Sequence, residues 1–168
     1  VCSSDLLALQ ALAQAGCRVV AAVDIDARRR GRALALGAAA AVAPEQAEAE
    51  VRGATGGRGA DIVIEAVGAA GTVALAAALA RKGGAVALIG NVAPEVPLPL
   101  QTAVTRELTL AGSCASAGEY PACLDLIARG AVRLDPLLSA VAPLAEGAAW
   151  FARLREGAGD LMKVVLVP

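Results

Sequence analysis

An open α/β fold, with helices wound on both faces of a parallel sheet, is the class this 168-residue sequence predicts. Three observations carry that prediction. Strand-like apolar runs alternate with helices at a spacing that suits right-handed crossovers. Hydrophobic residues make up 57% of the chain, yet Tyr120, Trp150 and Phe151 are its only aromatics, so Ala, Val, Leu and Ile must build the core. Such a core suits helices packed closely on a parallel sheet. Finally, an acid, Asp24, closes a strand that follows an apolar helix and precedes an Arg-rich one.

Residues 6–15 are apolar with Gln10 and Gln14 on one face, and Gly16 stands where a helix C-cap needs it. Residues 18–24 read as a strand. Asp26 is placed to cap a helix over 27–36, with Arg28, Arg29, Arg30 and Arg32 towards solvent and Gly37 as its stop. Ala41 and Val42 form a short strand, and Pro44 opens a polar helix to about residue 54. Residues 61–66, Asp-Ile-Val-Ile-Glu-Ala, give the clearest buried strand. A helix over 72–80, a Gly83-Gly84 turn and a second buried strand over 85–89 follow.

The Pro-rich stretch 91–99 is extended, because proline and its preceding residue disfavour helix. A short helix over 100–106 and a strand over 108–112 come next. After Gly118 the pattern changes to a helix over 120–128, an extended stretch at 136–141, an amphipathic helix over 144–155 and a last strand at 161–167.

Composition excludes several classes of function. A net charge of −1 gives no electrostatic ground for binding nucleic acid or an anionic membrane surface. Arg, Glu or Pro interrupts every apolar run before it could span a bilayer. The absence of His removes His-based acid–base catalysis and His metal ligation from this stretch. Thirteen arginines against two lysines, with abundant Ala and Gly, suit GC-rich bacterial coding. Cys2, Cys17, Cys114 and Cys123 form no CxxC pair and follow no secretory segment, so buried free thiols in a reducing cytoplasm are expected.

An acid at the end of the second strand of a dinucleotide-binding unit accepts hydrogen bonds from both hydroxyls of the adenosine ribose, and would repel the extra phosphate of NADP. Asp24 has that placement. The plainer alternative is a solvated helix N-cap, a role Asp26 already fills. Arg29 is the arginine best placed to reach the adenosine end, with a merely solvated face as its alternative. In a parallel sheet the ligand lies across the carboxyl ends of the strands. Those ends are Ala66-Val67-Gly68, Ile89-Gly90-Asn91 and Gly112-Ser113-Cys114. Gly68 and Gly90 would let the backbone approach a flat ring or a ribose, although any strand-to-loop turn also favours glycine. Glu65, an acid inside an apolar strand, reads as a paired structural charge. Cys114 and Cys123, without a His, read as small buried hydrophobes rather than metal ligands.

Taken in order, these pieces resemble the zinc-dependent medium-chain alcohol and polyol dehydrogenases. The resemblance rests on Val23-Asp24-Ile25-Asp26, Ala35-Leu36-Gly37-Ala38, the run from Gly59 to Gly68, Lys82-Gly83-Gly84 with residues 85–90, Arg106-Glu107-Leu108, Leu110-Ala111-Gly112-Ser113, and Leu161 to Leu166. Within the family the chain looks most like the sorbitol, iditol, galactitol-phosphate and threonine dehydrogenase branch.

The resemblance implies a Rossmann-like nicotinamide-binding domain over 7–130, a doubly wound parallel sheet lacking its first strand. Residues 131–168 would return to the catalytic domain. It implies NAD as cofactor, a small alcohol or polyol as substrate, and a homodimer or homotetramer for the intact enzyme. There, zinc in an N-terminal domain polarises the alcohol oxygen and hydride passes to the nicotinamide. Carried over by position, Asp24 takes the ribose, and Ala66, Val67, Gly68, Ile89, Gly90 and Asn91 line the path from adenosine to nicotinamide. Ser113 flanks the nicotinamide. Lys163 matches a basic position near the cofactor phosphates, with a solvated salt bridge as an equal alternative.

The departures from the family pattern are large. No zinc ligands or proton relay occur in this chain, so no catalytic residue is assigned. The glycine-rich phosphate loop should close about 20 residues before the acid. Residues 1–5 there read Val-Cys-Ser-Ser-Asp, with Cys2 and Asp5 where the second and third loop glycines belong. Asp5 would set a negative charge beside the pyrophosphate. Residues 1–6 are expected to be translated sequencing adapter, since GTG TGC TCT TCC GAT CTN encodes Val-Cys-Ser-Ser-Asp-Leu, and the chain is expected to be a C-terminal fragment, inactive alone and weak in NAD binding. Three rivals remain: a zinc-free NADPH-dependent quinone or enoyl reductase, a methyltransferase, and a non-catalytic nucleotide-sensing domain. Asp24 opposes the first. The helix between the last two extended segments opposes the second.

Overall fold

The computed structural model describes residues 4–157 and 161–168. Of the N-terminal stretch read as adapter, residues 1–3, Cys2 included, lie outside the described residues. Helix α1 spans Ser4–Gln14 and ends at Gly16, which takes a left-handed φ of +80°. Strand β1 (Ala22–Val23), helix α2 (Ala27–Ala35) and strand β2 (Ala41–Val42) form a first parallel unit, with Ala22 opposite Ala41 and Val23 opposite Val42. Pro44–Gln46 is a 3-10 turn leading into α3 (Ala47–Ala54).

A second unit holds β3 (Ala60–Glu65), α4 (Ala70–Leu79), β4 (Ala80–Leu88), α5 (Leu100–Thr105) and β5 (Thr109–Gly112), with all three strands parallel in the order β3-β4-β5. Then come α6 (Tyr120–Ala128), β6 (Leu138–Pro143), α7 (Gly147–Arg155) and β7 (Lys163–Val167), with β6 and β7 parallel. Short 3-10 turns at Asp135–Leu137 and Leu144–Glu146 replace the start of the expected extended stretch and of the expected long helix. The expected parallel α/β fold is present, but among the described residues its strands form three separate ladders.

Three strand expectations need correction. β4 begins at Ala80 instead of residue 85, so the Gly83-Gly84 pair expected as a turn lies inside the strand, where its register with β3 shifts between Ala80 and Ala85. The stretch 18–24 pairs as a ladder only at Ala22 and Val23, because its partner β2 is two residues long and ends before Pro44. Beyond that ladder, the Ala39 N–H reaches the Val19 carbonyl at 3.0 Å. Of the stretch 61–66, read as the clearest buried strand, only Glu65 is buried and Ile62 is exposed; the strand itself runs from Ala60 to Glu65. β3 pairs with β4 on one side alone, whereas Val86 of the central strand β4 is fully buried.

The core is aliphatic, as composition requires. One cluster joins Leu6 and Leu9 of α1 with Ala33, Ala38, Leu137 and Met162. Residues 131–168 therefore share apolar packing with the first two helices. A second cluster seats Ala47 and Val51 of α3 against Ala60 and Leu79, and a third surrounds Ala76, Ala80 and Val86. No helix among the described residues is long and apolar enough to cross a membrane.

Candidate functional site

The register of the second ladder sets its geometry. Glu65 lies opposite Leu88, and Leu88 opposite Gly112, so three strands end at one level. The turns that follow are thereby brought to one edge: Ala66-Val67-Gly68, Ile89-Gly90-Asn91 and the segment opened by Ser113. The Ser113 N–H ties back to the Leu88 carbonyl at 3.0 Å. Ser113, Asn91 and Val67 are exposed, Ala66, Ile89 and Gly90 half-buried, and Gly68 buried.

Gly68 and Gly90 are demanded by each other. A Cβ on Gly68 would fall inside van der Waals contact of the Gly90 carbonyl and the Asn91 nitrogen, and a Cβ on Gly90 would strike the backbone of Val67 and Gly68. Gly68 also holds a φ of +79°. The close approach expected between backbone and ligand is thus first an approach of one loop to the other.

Glu65 is not the paired structural charge that was expected. It is buried, and its carboxylate accepts backbone N–H groups: Oε1 from Val67 and Gly68, both at 2.9 Å, and Oε2 from Gly68 at 3.0 Å. The sequence signal was an acid two residues before Val67 and three before Gly68, the offset at which an Asx-type cap can reach forward.

Asp24 follows β1, and its N–H pairs with the Val42 carbonyl at 3.2 Å. Its Oδ1 accepts the Asp26 N–H at 2.8 Å, and its Oδ2 takes Arg29 Nη1 at 3.3 Å. The helix N-cap is Asp26, whose carboxylate accepts the Arg28 N–H at 2.7 Å. The Arg28 guanidinium and that N–H hold the Asp26 carboxyl below the usual range. The N-cap alternative for Asp24 is therefore excluded.

Arg29 and Arg30 do not face solvent as expected. The tight turn from β1 into α2 folds them back over the end of the strand. The Arg29 side chain, 19% exposed, lies 3.3 Å from Asp24 and 3.7 Å from Asp5. Arg30 Nη1 donates to the carbonyls of Asp24 at 2.8 Å and Ile25 at 3.0 Å. Asp5 sits in the first turn of α1, and burial is the main cause that pushes its carboxyl up from the ordinary value.

Lys163 is exposed at the start of β7, and no hydrogen bond or ion pair joins it to the strand-end loops among the described residues. The structure therefore does not gather it with the other expected site residues. Cys114 and Cys123 are exposed and Cys17 intermediate, against the expectation of buried thiols. They fall at the end of the second unit and on α6, a helix with no buried residue, so nothing covers them. Among the described residues no group of three or more His, Cys, Asp or Glu side chains is arranged to hold a metal ion. The described residues do not fit a zinc ion.

This architecture is the Rossmann-like fold of dehydrogenase cofactor domains. Residues 6–129 match the family model described as zinc-binding dehydrogenase, and the chain belongs to that family. It is 39% identical over 121 residues to a Rhizobium meliloti (strain 1021) protein named "Putative D-xylulose reductase", which covers 71% of this chain and 35% of that relative. Among solved structures, it is similar to alcohol dehydrogenase TADH from Thermus sp. ATN1, with 32% identity and a TM-score of 0.86 over 96% of this chain and 47% of that one. A zinc-binding dehydrogenase target from Sinorhizobium meliloti 1021, solved bound to NADP, is 29% identical with a TM-score of 0.84, over 97% of this chain and 49% of that one. The chain thus spans about a third to a half of the length of the relatives it matches.

Proposed function

We propose that this chain forms the dinucleotide-binding part of an alcohol or polyol dehydrogenase that prefers NAD to NADP. One observation carries the reading: the Asp24 carboxylate stands at the carboxyl end of β1. Among the described residues its Oδ1 accepts the Asp26 N–H at 2.8 Å and its Oδ2 takes Arg29 Nη1 at 3.3 Å, leaving lone pairs for ribose hydroxyls. A fixed negative charge there opposes a second phosphate on the ribose. Arg29 sits on the same carboxylate and would be placed against the adenosine.

The bound nicotinamide would supply hydride acceptance or donation. The residues of this chain would orient it: Val67, Ile89, Asn91 and Ser113 present their exposed or half-buried groups along the edge where β3, β4 and β5 end. The pyrophosphate position is less well served. The first turn of α1 carries Asp5, whose charge opposes a phosphate at a helix N-terminus. Binding of NAD is accordingly expected to be weak. No catalytic acid, base or metal ligand set is assigned among these residues, so the chain by itself is expected to show no alcohol oxidation.

Fluorescence titration of the chain with NADH and with NADPH tests the reading. The expected result is tighter binding of NADH by about tenfold, the worth of one charge-assisted hydrogen bond. Replacing Asp24 by Asn should remove most of that preference. Equal affinities in the unsubstituted chain, or tighter binding of NADPH, would overturn the NAD preference, and binding of neither would overturn the dinucleotide reading.

A further inference from the structure

We infer that Glu65 is a positioning residue for the nicotinamide half of the cofactor, an inference that rests on the dinucleotide reading above. Its starting point is a buried carboxylate with no cation. Glu65 is 3% exposed, and no ion pair reaches it among the described residues. Burying an ionised carboxylate is unfavourable unless hydrogen bonds fill its lone pairs. Here they are filled by the turn that follows, through the Val67 and Gly68 N–H groups at 2.9 to 3.0 Å.

The same residue also holds the neighbouring loop. The Glu65 carbonyl accepts the N–H groups of Ile89 at 2.9 Å and Gly90 at 3.1 Å. Its side chain therefore fixes one strand-end loop while its main chain fixes the next. The crossing of Gly68 and Gly90 leaves no slack between the two, since neither position has room for a Cβ.

The loop's remaining polar groups are also used within the protein. The Val67 carbonyl accepts the Val92 N–H at 3.1 Å, and the Gly68 carbonyl accepts the Ala93 N–H at 3.0 Å. With their N–H groups on Glu65, Val67 and Gly68 have every backbone polar group engaged. What they offer a ligand is shape, through the exposed Val67 side chain, and that shape depends on Glu65. Buried as it is, Glu65 acts on a ligand through the loops alone. A hydrophobe would be the easier residue to bury at this strand position. The carboxylate has a purpose there only if the placement of the loops matters.

Asp24 lies in the other ladder, at the adenosine end, so the two halves of the ligand can be probed separately. ADP-ribose carries the adenosine ribose and the pyrophosphate but no nicotinamide. Affinities for NADH and ADP-ribose are measured by calorimetry on the unsubstituted chain and on the Glu65→Leu, Glu65→Gln and Asp24→Asn variants, alongside amide hydrogen exchange.

Glu65→Leu is expected to weaken NADH about tenfold and ADP-ribose less than twofold, with faster exchange at Val67 and Gly68 and unchanged exchange at Val86. Glu65→Gln keeps the shape and one acceptor oxygen, so a smaller loss in the same direction is expected, and it carries the test if the Leu variant does not fold. Asp24→Asn should weaken both ligands alike. Equal losses of NADH and ADP-ribose on changing Glu65 would overturn the positioning role while leaving the dinucleotide reading standing. So would faster exchange with no loss of NADH. Binding of neither ligand by the unsubstituted chain would overturn the dinucleotide reading, and the inference with it.

Discussion

Gln10 and Arg133, 123 residues apart, exchange a reciprocal pair of hydrogen bonds: Gln10 Nε2 donates to the Arg133 carbonyl at 3.1 Å, and the Arg133 N–H donates to Gln10 Oε1 at 2.7 Å. Gln10 is only 5% exposed. The amide side chain thus mimics one residue of a strand and satisfies both backbone groups of Arg133, which no other described backbone group does.

Gln10→Ala should therefore destabilise the chain by about 1–2 kcal/mol, because it removes a buried side chain and leaves the part-buried Arg133 N–H and carbonyl without their partner. Arg133→Ala should cost far less, since the backbone makes the contact. Urea unfolding midpoints compare the two. Similar small losses for both variants would show that the clamp contributes nothing.

Arg106 closes the C-terminal end of α4. Its Nη1 donates to the carbonyls of Ala78 at 2.7 Å and Ala80 at 3.1 Å, while its own carbonyl accepts the Gly83 N–H at 2.8 Å. Arg106→Ala should cost about 1.5–3 kcal/mol, the range for hydrogen bonds to a charged group, here favoured further by the helix dipole. Arg106→Lys, which has a point charge in place of the planar fork, should recover part of it. Thermal unfolding of both variants measures the difference.

Two glycines make opposite predictions. Gly31 lies inside α2 with nothing within 4 Å of where a Cβ would stand, so Gly31→Ala should stabilise by about 0.5–1 kcal/mol through helix propensity. Gly90→Ala should cost about 3 kcal/mol or prevent folding, because its Cβ would meet the backbone of Val67 and Gly68. Circular dichroism melts separate the two outcomes. A neutral Gly90→Ala would remove the basis for the loop crossing.

Asp5 predicts a pH dependence of definite sign. Burial raises its carboxyl above the ordinary 3.8, the Leu6 N–H and the Arg29 guanidinium oppose that, and Asp24 adds to it. The folded state then holds the proton more tightly than the unfolded chain. Asp5 is harmless below 3.8 and costs stability as pH rises through its raised value, after which the cost is constant. Asp5→Asn should therefore stabilise at neutral pH, by less than about 1 kcal/mol given a side chain still 32% exposed and paired with Arg29. Denaturation midpoints of both forms across the acid range test this. A gain that persists at the lowest pH would contradict it.

The parallel α/β class, the helix N-cap at Asp26, the strand at Ala41–Val42 and the helix at Tyr120–Ala128 were all legible from local pattern, because caps, turns and apolar periodicity act over a few residues. The grouping of Ala66-Val67-Gly68 with Ile89-Gly90-Asn91 was legible too, since parallel strands place their carboxyl ends on one edge. The inward fold of Arg29 and Arg30 was not, since charge on an amphipathic helix ordinarily reads as a solvated face.

By itself, the sequence determined the alternation of strands and helices, the aliphatic core and the acid at the end of β1. These depend on residue type and spacing alone. Tertiary structure decided that Gln10 is a buried clamp, that Gly68 and Gly90 exist for each other, and that the buried Glu65 carboxylate is hydrogen-bonded by backbone N–H groups instead of paired with a cation. The first two depend on which distant groups meet once the chain is packed, and the third on the fold burying a carboxylate whose partners lie two and three residues on. A buried polar atom takes its meaning from its partner, and partners 20 or 120 residues away leave no local trace.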